Sequence, residues 1–221
     1  MYKLENIYKT YDKEQTFILN SLNFEFNEGD FIAIIGKSGS GKTTLLNILS
    51  TIDTPSKGYY IFNGKNLSKL SSNKLAEFRN ESIGVVFQEY NLIPMYTTKQ
   101  NILLPLIFSK IKKQVNIERI LEDLDIVKLE DKKIKYLSGG EQQRVAIGRA
   151  VVNKPSLILA DEPTGNLDNE NSEKIFNILK KLNDSNTTIL VVTHDLYFAK
   201  KFDKVFELKN GTISEIKKSQ L

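Results

Sequence analysis

The stretch Phe31-Ile32-Ala33-Ile34-Ile35-Gly36-Lys37-Ser38-Gly39-Ser40-Gly41-Lys42-Thr43 decides the fold. Its first five residues are apolar without interruption, as expected of a strand covered on both faces. Gly36 to Thr43 then matches G-x-x-x-x-G-K-[ST], and helix-like sequence runs on from Lys42 to Leu49. The motif thus lies between a buried strand and a helix. Its glycines let backbone N–H groups turn inward around phosphate oxygens without a Cβ clash. The helix directs its positive end at the same anion. Gly36, Lys37, Ser38, Gly39, Ser40, Gly41, Lys42, Thr43 and Thr44 are therefore the expected phosphate-binding residues. Lys42 reaches the β- and γ-phosphates, and the Thr43 hydroxyl suits Mg²⁺, which prefers oxygen ligands.

Outward from this loop the chain reads as short strands and helices. Leu22, Phe24 and Phe26 alternate with polar residues, the pattern of a half-buried strand, and Asn27 to Gly29 reads as a turn. Tyr59 to Phe62 runs into the tight-turn pair Asn63-Gly64, and Ser82 to Phe87 is another short strand. From Thr97 to about Val127 the pattern is helical. Thr97 with Gln100 forms a capping box, and Ile117, Ile120, Leu121 and Leu124 follow i, i+3, i+4, i+7. Strand and helix then alternate again: Leu157 to Ala160, a helix face of Ile175, Ile178, Leu179 and Leu182, and Thr188 to Val192. Val205 to Leu208 with Asn210-Gly211 suggests a hairpin end. This order predicts an α/β fold with a mainly parallel sheet, interrupted by an inserted helical subdomain.

Two acids follow one of the buried strands, in Leu157-Ile158-Leu159-Ala160-Asp161-Glu162. Ligands of open α/β sheets sit at the carboxyl ends of strands. Asp161 is therefore expected to face the Mg²⁺ beside Thr43, with Glu162 orienting or deprotonating an attacking water. His194 follows a third strand on the same sheet edge, where it is expected to contact the γ-phosphate.

Composition narrows the classes. The 221 residues contain no Cys and one His, which removes disulfides, Cys-ligated zinc, thiol catalysis and multi-histidine metal centres. The net charge of +4 comes from 31 basic and 27 acidic residues spread along the chain, so its sign does not decide function. No apolar run approaches the roughly 20 residues needed to span a bilayer, and Met1 to Phe17 lacks the apolar stretch of a signal peptide. The expectation is a cytosolic chain that needs another chain for any work in a membrane.

A phosphate loop alone leaves kinases, GTPases and helicases open. Leu137-Ser138-Gly139-Gly140-Glu141-Gln142-Gln143-Arg144 narrows the choice, because it resembles the signature sequence of ATP-binding cassette (ABC) ATPases. The resemblance covers almost the whole chain. It implies a RecA-like P-loop NTPase fold with an N-terminal antiparallel β subdomain. It also implies one domain over 1–221, with a nucleotide-binding core of 1–88 and 153–221 and a helical subdomain of 89–152 that carries the signature. ATP and Mg²⁺ are the implied ligands.

The resemblance assigns further residues. Gln88 matches the Q-loop glutamine that senses Mg²⁺ and contacts the membrane subunit. Ser138, Gly139 and Gly140 would face the γ-phosphate held by a second subunit, and Asp168 matches the loop that crosses the dimer interface. Tyr11 matches the aromatic residue that stacks on adenine, and His194 the switch histidine. Phe87 to Pro94 and Ala160 to Asp168 look like the macrolide-exporter and lipoprotein-release branch, with antimicrobial-peptide exporters close by. The implied partners are an integral-membrane permease and a second copy of the chain in the ATP-bound state. The implied place is the cytoplasmic face of the cell membrane. The segment Gln88 to Met95, rich in Leu92, Ile93 and Met95, is the expected permease contact. A subunit of a non-transporting membrane complex, for division or sensing, shares every catalytic residue. A nucleic-acid ABC ATPase would carry long coiled coils, and Thr43 to Ser138 contains no sustained heptads, so no nucleic acid is expected.

Overall fold

The computed structural model describes residues 1–12, 16–110 and 114–220. Its elements in chain order are β1 (Tyr2–Lys9), β2 (Leu19–Phe26), β3 (Phe31–Ile35), α1 (Lys42–Leu49), β4 (Lys57–Phe62), β5 (Lys65–Asn66), α2 (Ser72–Ser82) and β6 (Ile83–Val86). There follow α3 (Thr98–Leu103), α4 (Ile117–Asp123), α5 (Gly139–Val151), β7 (Leu157–Asp161), α6 (Asn169–Asp184), β8 (Thr188–Thr193), α7 (Leu196–Ala199), β9 (Lys204–Lys209) and β10 (Thr212–Ile216). Two sheets form. One is antiparallel with strand order β2-β1-β4-β5, and the other runs β10-β9-β3-β8-β7-β6. In the second, all neighbours are parallel except the terminal β9–β10 hairpin.

The uninterrupted apolar runs are explained by two cores, one on each face of the large sheet. Along β3, Phe31, Ala33 and Ile35 enter one core and Ile32 and Ile34 the other. Along β8, Ile189 and Val191 separate from Leu190 and Val192 in the same way. Period-two geometry sends successive side chains to opposite faces, so a strand between two layers has no polar positions to offer. The first core is shared with α3, α4, α5, α6 and α7, and the second with α1 and the antiparallel sheet.

Both expected Asn-Gly turns are present. Asn63 and Gly64 have φ of 47° and 78°, and Asn210 and Gly211 have 51° and 75°, joining β4 to β5 and β9 to β10. Strand ends differ by a residue from the sequence reading. Asp161 is the last residue of β7 because it pairs with Val192, and Thr193 closes β8 opposite Ile35. The helical stretch from Thr97 is also less continuous than expected. The capping box forms as read, with Gln100 N–H donating to Thr97 Oγ1 at 3.2 Å and Thr97 N–H to Gln100 Oε1 at 2.9 Å. Pro105 has no N–H to continue the α-ladder, and the chain tightens into a 3₁₀ turn over Leu104–Phe108 before α4. Residues 111–113 of this stretch lie outside the described residues.

Candidate nucleotide site

Strand order places the site. β3, β8, β7 and β6 are consecutive neighbours, and their carboxyl ends lead into the phosphate loop, His194, Asp161-Glu162 and Gln88 respectively. Residues far apart in sequence thus meet on one sheet edge. A 340 Å³ cavity there is lined by Ile18, Ser38, Gly39, Gly41, Lys42, Thr43 and Thr44 on one side and by Gln88, Asp161 and Glu162 on the other.

The loop is shaped for an anion. Gly41 caps α1 at φ 99°, a conformation that a side chain would oppose. Lys42 Nζ is held by the carbonyls of Gly36 at 2.8 Å and Lys37 at 3.2 Å, within the curl of the loop. Ser40 Oγ is buried with no hydrogen-bond partner among the described residues. Thr43 Oγ1 donates to Asp161 Oδ2 at 3.1 Å, across 118 residues of sequence. Burial pushes the Asp161 carboxyl above the usual carboxylate range, and neighbouring Glu162 adds to this against the opposing pull of Thr43 and Lys42.

Glu162 is buried, at 9% exposure, and sits in the left-handed region at φ 46°. Its N–H donates to the Val192 carbonyl at 2.9 Å. Its Oε2 accepts from Thr193 Oγ1 at 2.9 Å and from the His194 N–H at 3.2 Å. His194 Nδ1 lies 2.8 Å from its Oε1. His194 is therefore tied to the cavity through Glu162, although its own side chain is 68% exposed.

Other expected residues lie away from this cavity. Ser138 caps α5 in a reciprocal box, its N–H donating to Glu141 Oε2 at 2.7 Å and its Oγ accepting from the Glu141 N–H at 3.3 Å. A Cβ on Gly140 would come within 2.6 Å of Asn171 Oδ1, so the Asn171 side chain of α6 lies directly against the Gly140 backbone of α5. Asp168 caps α6 and is bridged on both oxygens by Asn171 Nδ2 at 3.0 Å. Gly139 abuts the Tyr90 hydroxyl, 3.0 Å from where its Cβ would stand. Tyr11 is 62% exposed. Its hydroxyl donates to Asp53 Oδ2 at 2.7 Å, Lys9 Nζ binds Asp53 Oδ1 at 2.6 Å, and the Lys9 ammonium lies 4.7 Å from the Tyr11 ring centre. Partial burial and then Asp53 raise the Tyr11 pKa, opposed by the hydroxyl of Thr44 in the phosphate loop.

The segment after Gln88, the expected permease contact, is only partly open. Leu92 packs against the core, and Asn101 holds Ile93 through both its N–H at 2.8 Å and its carbonyl at 3.2 Å. Met95 alone of the three apolar residues is exposed. A 490 Å³ groove opens between α2, β6, the Leu104–Phe108 turn and α5, and of this segment it takes in Asn91.

Four residues here were not singled out in the sequence. Arg149 grips the turn after Gln88, Asn171 holds Asp168, Asp53 anchors Tyr11, and Thr193 bonds Glu162. Thr193 left a signal, a polar residue ending an otherwise apolar strand. The Asp53–Tyr11 pairing spans 42 residues and left none.

The chain matches the ABC transporter family over residues 19–165. Its relatives include the lipoprotein-releasing system ATP-binding protein LolD of Buchnera aphidicola subsp. Acyrthosiphon pisum (strain APS), 45% identical over 217 residues that cover 96% of this chain and 95% of that one. The ABC transporter ATP-binding protein YvrO of Bacillus subtilis (strain 168) is 45% identical over 218 residues, with the same coverage. Among solved structures, the ATP-binding cassette MJ0796, a dimer in a post-hydrolysis state bound to ADP and Pi, superposes with a TM-score of 0.89 at 40% identity over 99% of both chains. The structure of cbiO1 from Clostridium perfringens, part of the ABC transporter complex cbiONQ, gives 0.85 at 27% identity over 96% of this chain and 86% of that one. The phosphate loop and the acids at the ends of neighbouring parallel strands agree with these likenesses: the chain belongs to the ABC transporter family, as an ATP-binding subunit that hydrolyses ATP.

Proposed function

We propose that two copies of this chain form the motor of a membrane permease, working in efflux of peptides, drugs or lipophilic molecules or in the transmission of force across the membrane. The likeness to LolD and YvrO, at 45% identity each, supports this branch. Each copy is one cassette, with a nucleotide-binding core of 1–88 and 153–221 and a helical subdomain of 89–152. The motor works at the cytoplasmic face of the cell membrane, held there by the permease. No helix among the described residues is long and apolar enough to cross a membrane, which leaves the spanning part to the partner. Permease helices dock in the groove beside Gln88, against Val85, Phe87, Pro105 and Phe108.

The chemistry rests on the cavity residues. Gly36 to Thr44 wrap the phosphates, Lys42 neutralises the β- and γ-oxygens, and Tyr11 stacks on adenine. Thr43, Asp161 and Gln88 are oxygen donors lining one cavity, a set that fits Mg²⁺, which binds a few protein oxygens and completes its shell with phosphate and water. When bound there it supplies charge neutralisation to the phosphate oxygens. Glu162 accepts a proton from water while the water oxygen attacks the γ-phosphorus. The bond from that phosphorus to the bridging oxygen breaks, releasing ADP and phosphate. His194 contacts the γ-phosphate, and Ser138, Gly139 and Gly140 close over the nucleotide of the other copy, with Asp168 at the interface between them.

The observation that carries this reading is the placing of Glu162 in the cavity of the phosphate loop. Glu162→Gln keeps the shape and removes the base. It is expected to bind ATP, to accumulate as a dimer on gel filtration and to release phosphate at least a hundredfold more slowly. Undiminished steady-state turnover would remove Glu162 from this role.

A further inference from the structure

The two oxygens of the Glu162 carboxylate are held differently. Oε2 receives two donors, Thr193 Oγ1 at 2.9 Å and the His194 N–H at 3.2 Å. Oε1 faces His194 Nδ1 at 2.8 Å. The direction of the Thr193 bond is fixed by its neighbour. The Asp195 N–H, which can only donate, reaches Thr193 Oγ1 at 3.0 Å and takes a lone pair, leaving the hydroxyl proton for Glu162. Thr193 has no exposed surface, and a β-branched side chain inside a strand has little rotamer freedom. The His194 side chain is 68% exposed. It can turn away from Oε1 without disturbing what holds Oε2.

We propose that Thr193 is a positioning residue for ATP hydrolysis: its buried hydroxyl anchors Glu162 Oε2 so that Oε1 is presented as the proton-accepting oxygen. The proposal rests on Glu162 being the base. The backbone of Glu162 supports it, because its left-handed φ of 46° carries strain that must be held from outside. The Glu162 N–H also binds the end of β8, through the Val192 carbonyl. Backbone and side chain are thus fixed to the same short segment, Val192 to His194. Without the hydroxyl, the carboxylate keeps its place in the cavity but loses the donor that sets its rotation. A loss of this kind falls on the chemical step and leaves nucleotide binding alone.

Steady-state phosphate release by the full-length chain, with ATP and Mg²⁺ varied, tests this. T193V keeps the side-chain shape and deletes the hydroxyl. It is expected to lower kcat at least tenfold with the KM for ATP within twofold of the parent. T193A, which leaves space where Val has a methyl, should show the same loss, and T193S should restore at least half of the parent kcat. A T193V or T193A enzyme within twofold of the parent would overturn the proposal. So would a T193S enzyme as slow as T193V, since the hydroxyl would then not be what matters. E162Q measured alongside separates the two ideas. If E162Q turns over normally, the base itself is misassigned. If E162Q is inactive while T193V is normal, only the role of Thr193 fails.

Discussion

Arg149 Nη2 donates to the Tyr90 carbonyl at 2.7 Å, and the same guanidinium reaches the Asn91 carbonyl. The helix that begins after Ser138 therefore grips the turn that follows Gln88. Tyr90 and Asn91 are both left-handed, at φ 59° and 49°, and such residues persist only where their surroundings hold them. Burial pushes the Arg149 pKa down from its ordinary value, so its hydrogen bonds form in a partly dehydrated place. Arg149→Lys keeps the charge but loses the planar fork. The expected cost is about 1–3 kcal/mol in urea unfolding, with slower turnover as Gln88 loses its support. Unchanged stability would mean that the turn holds itself.

Asp53 should make stability near Tyr11 pH-dependent. Partial dehydration raises its pKa, but bonds from Lys9, Tyr11 and the Thr54 N–H outweigh that, and the net shift is downward. A carboxylate with a depressed folded pKa adds stability above its unfolded value, and the gain is lost as pH falls through the folded value. Asp53→Asn should therefore be less stable at neutral pH by under about 1 kcal/mol, as expected for a solvent-screened pair. The gap should close as pH falls from about 4 through the lowered Asp53 pKa. Denaturant melts of both proteins across that range check the sign. The variant should also show a raised KM for ATP, because Tyr11 loses its anchor.

Gly140→Ala should act at a distance. The added Cβ would meet Asn171 Oδ1 at 2.6 Å. Asn171 cannot swing aside freely, because its amide bridges both oxygens of Asp168. Overpacking of this kind costs about 1–3 kcal/mol. The ATP-driven dimer of Glu162→Gln should weaken on gel filtration when this substitution is added. An undiminished dimer would show that Asn171 yields without moving Asp168.

The groove beside β6 predicts a separation of partner from nucleotide. Phe108 lines it, and Phe108 and its chain neighbour Ile107 are 72% and 74% exposed. Replacing both with Ser removes little buried area from the chain itself, so ATP binding and thermal stability should stay near the parent. Co-purification with the permease should fall at least tenfold. Retained assembly would place the contact elsewhere.

Much of this was legible in the sequence, for reasons particular to each part. The run Phe31 to Ile35 announces a strand between two layers because no residue in it tolerates water. The Asn-Gly pairs announce their turns because both residues must take positive φ. Asp161, Glu162 and His194 could be assigned to one edge because each follows an apolar run of strand length. The strand order could not be read, since nothing in β3 states that β8 and β9 are its neighbours. Helical periodicity after Thr97 carries no sign of the break at Leu104–Phe108, because it says nothing of the N–H missing at Pro105. The hold of Asn101 on the Ile93 backbone could not be read, since it joins side chain to main chain across eight residues without a pattern.

The consecutive placing of β3, β8, β7 and β6 makes the sheet a ruler. Neighbouring strands are spaced at about 4.8 Å, so the four loops hang from fixed marks along roughly 14 Å. Most residues of these strands are hydrocarbon packed in the two cores, and the polar Asp161 and Thr193 stand at the carboxyl ends, where the loops begin. Chemistry can therefore be retuned one loop at a time while the distances between loops stay constant. The ruler sets where a phosphate chain must lie, and the loops decide only what happens to it there.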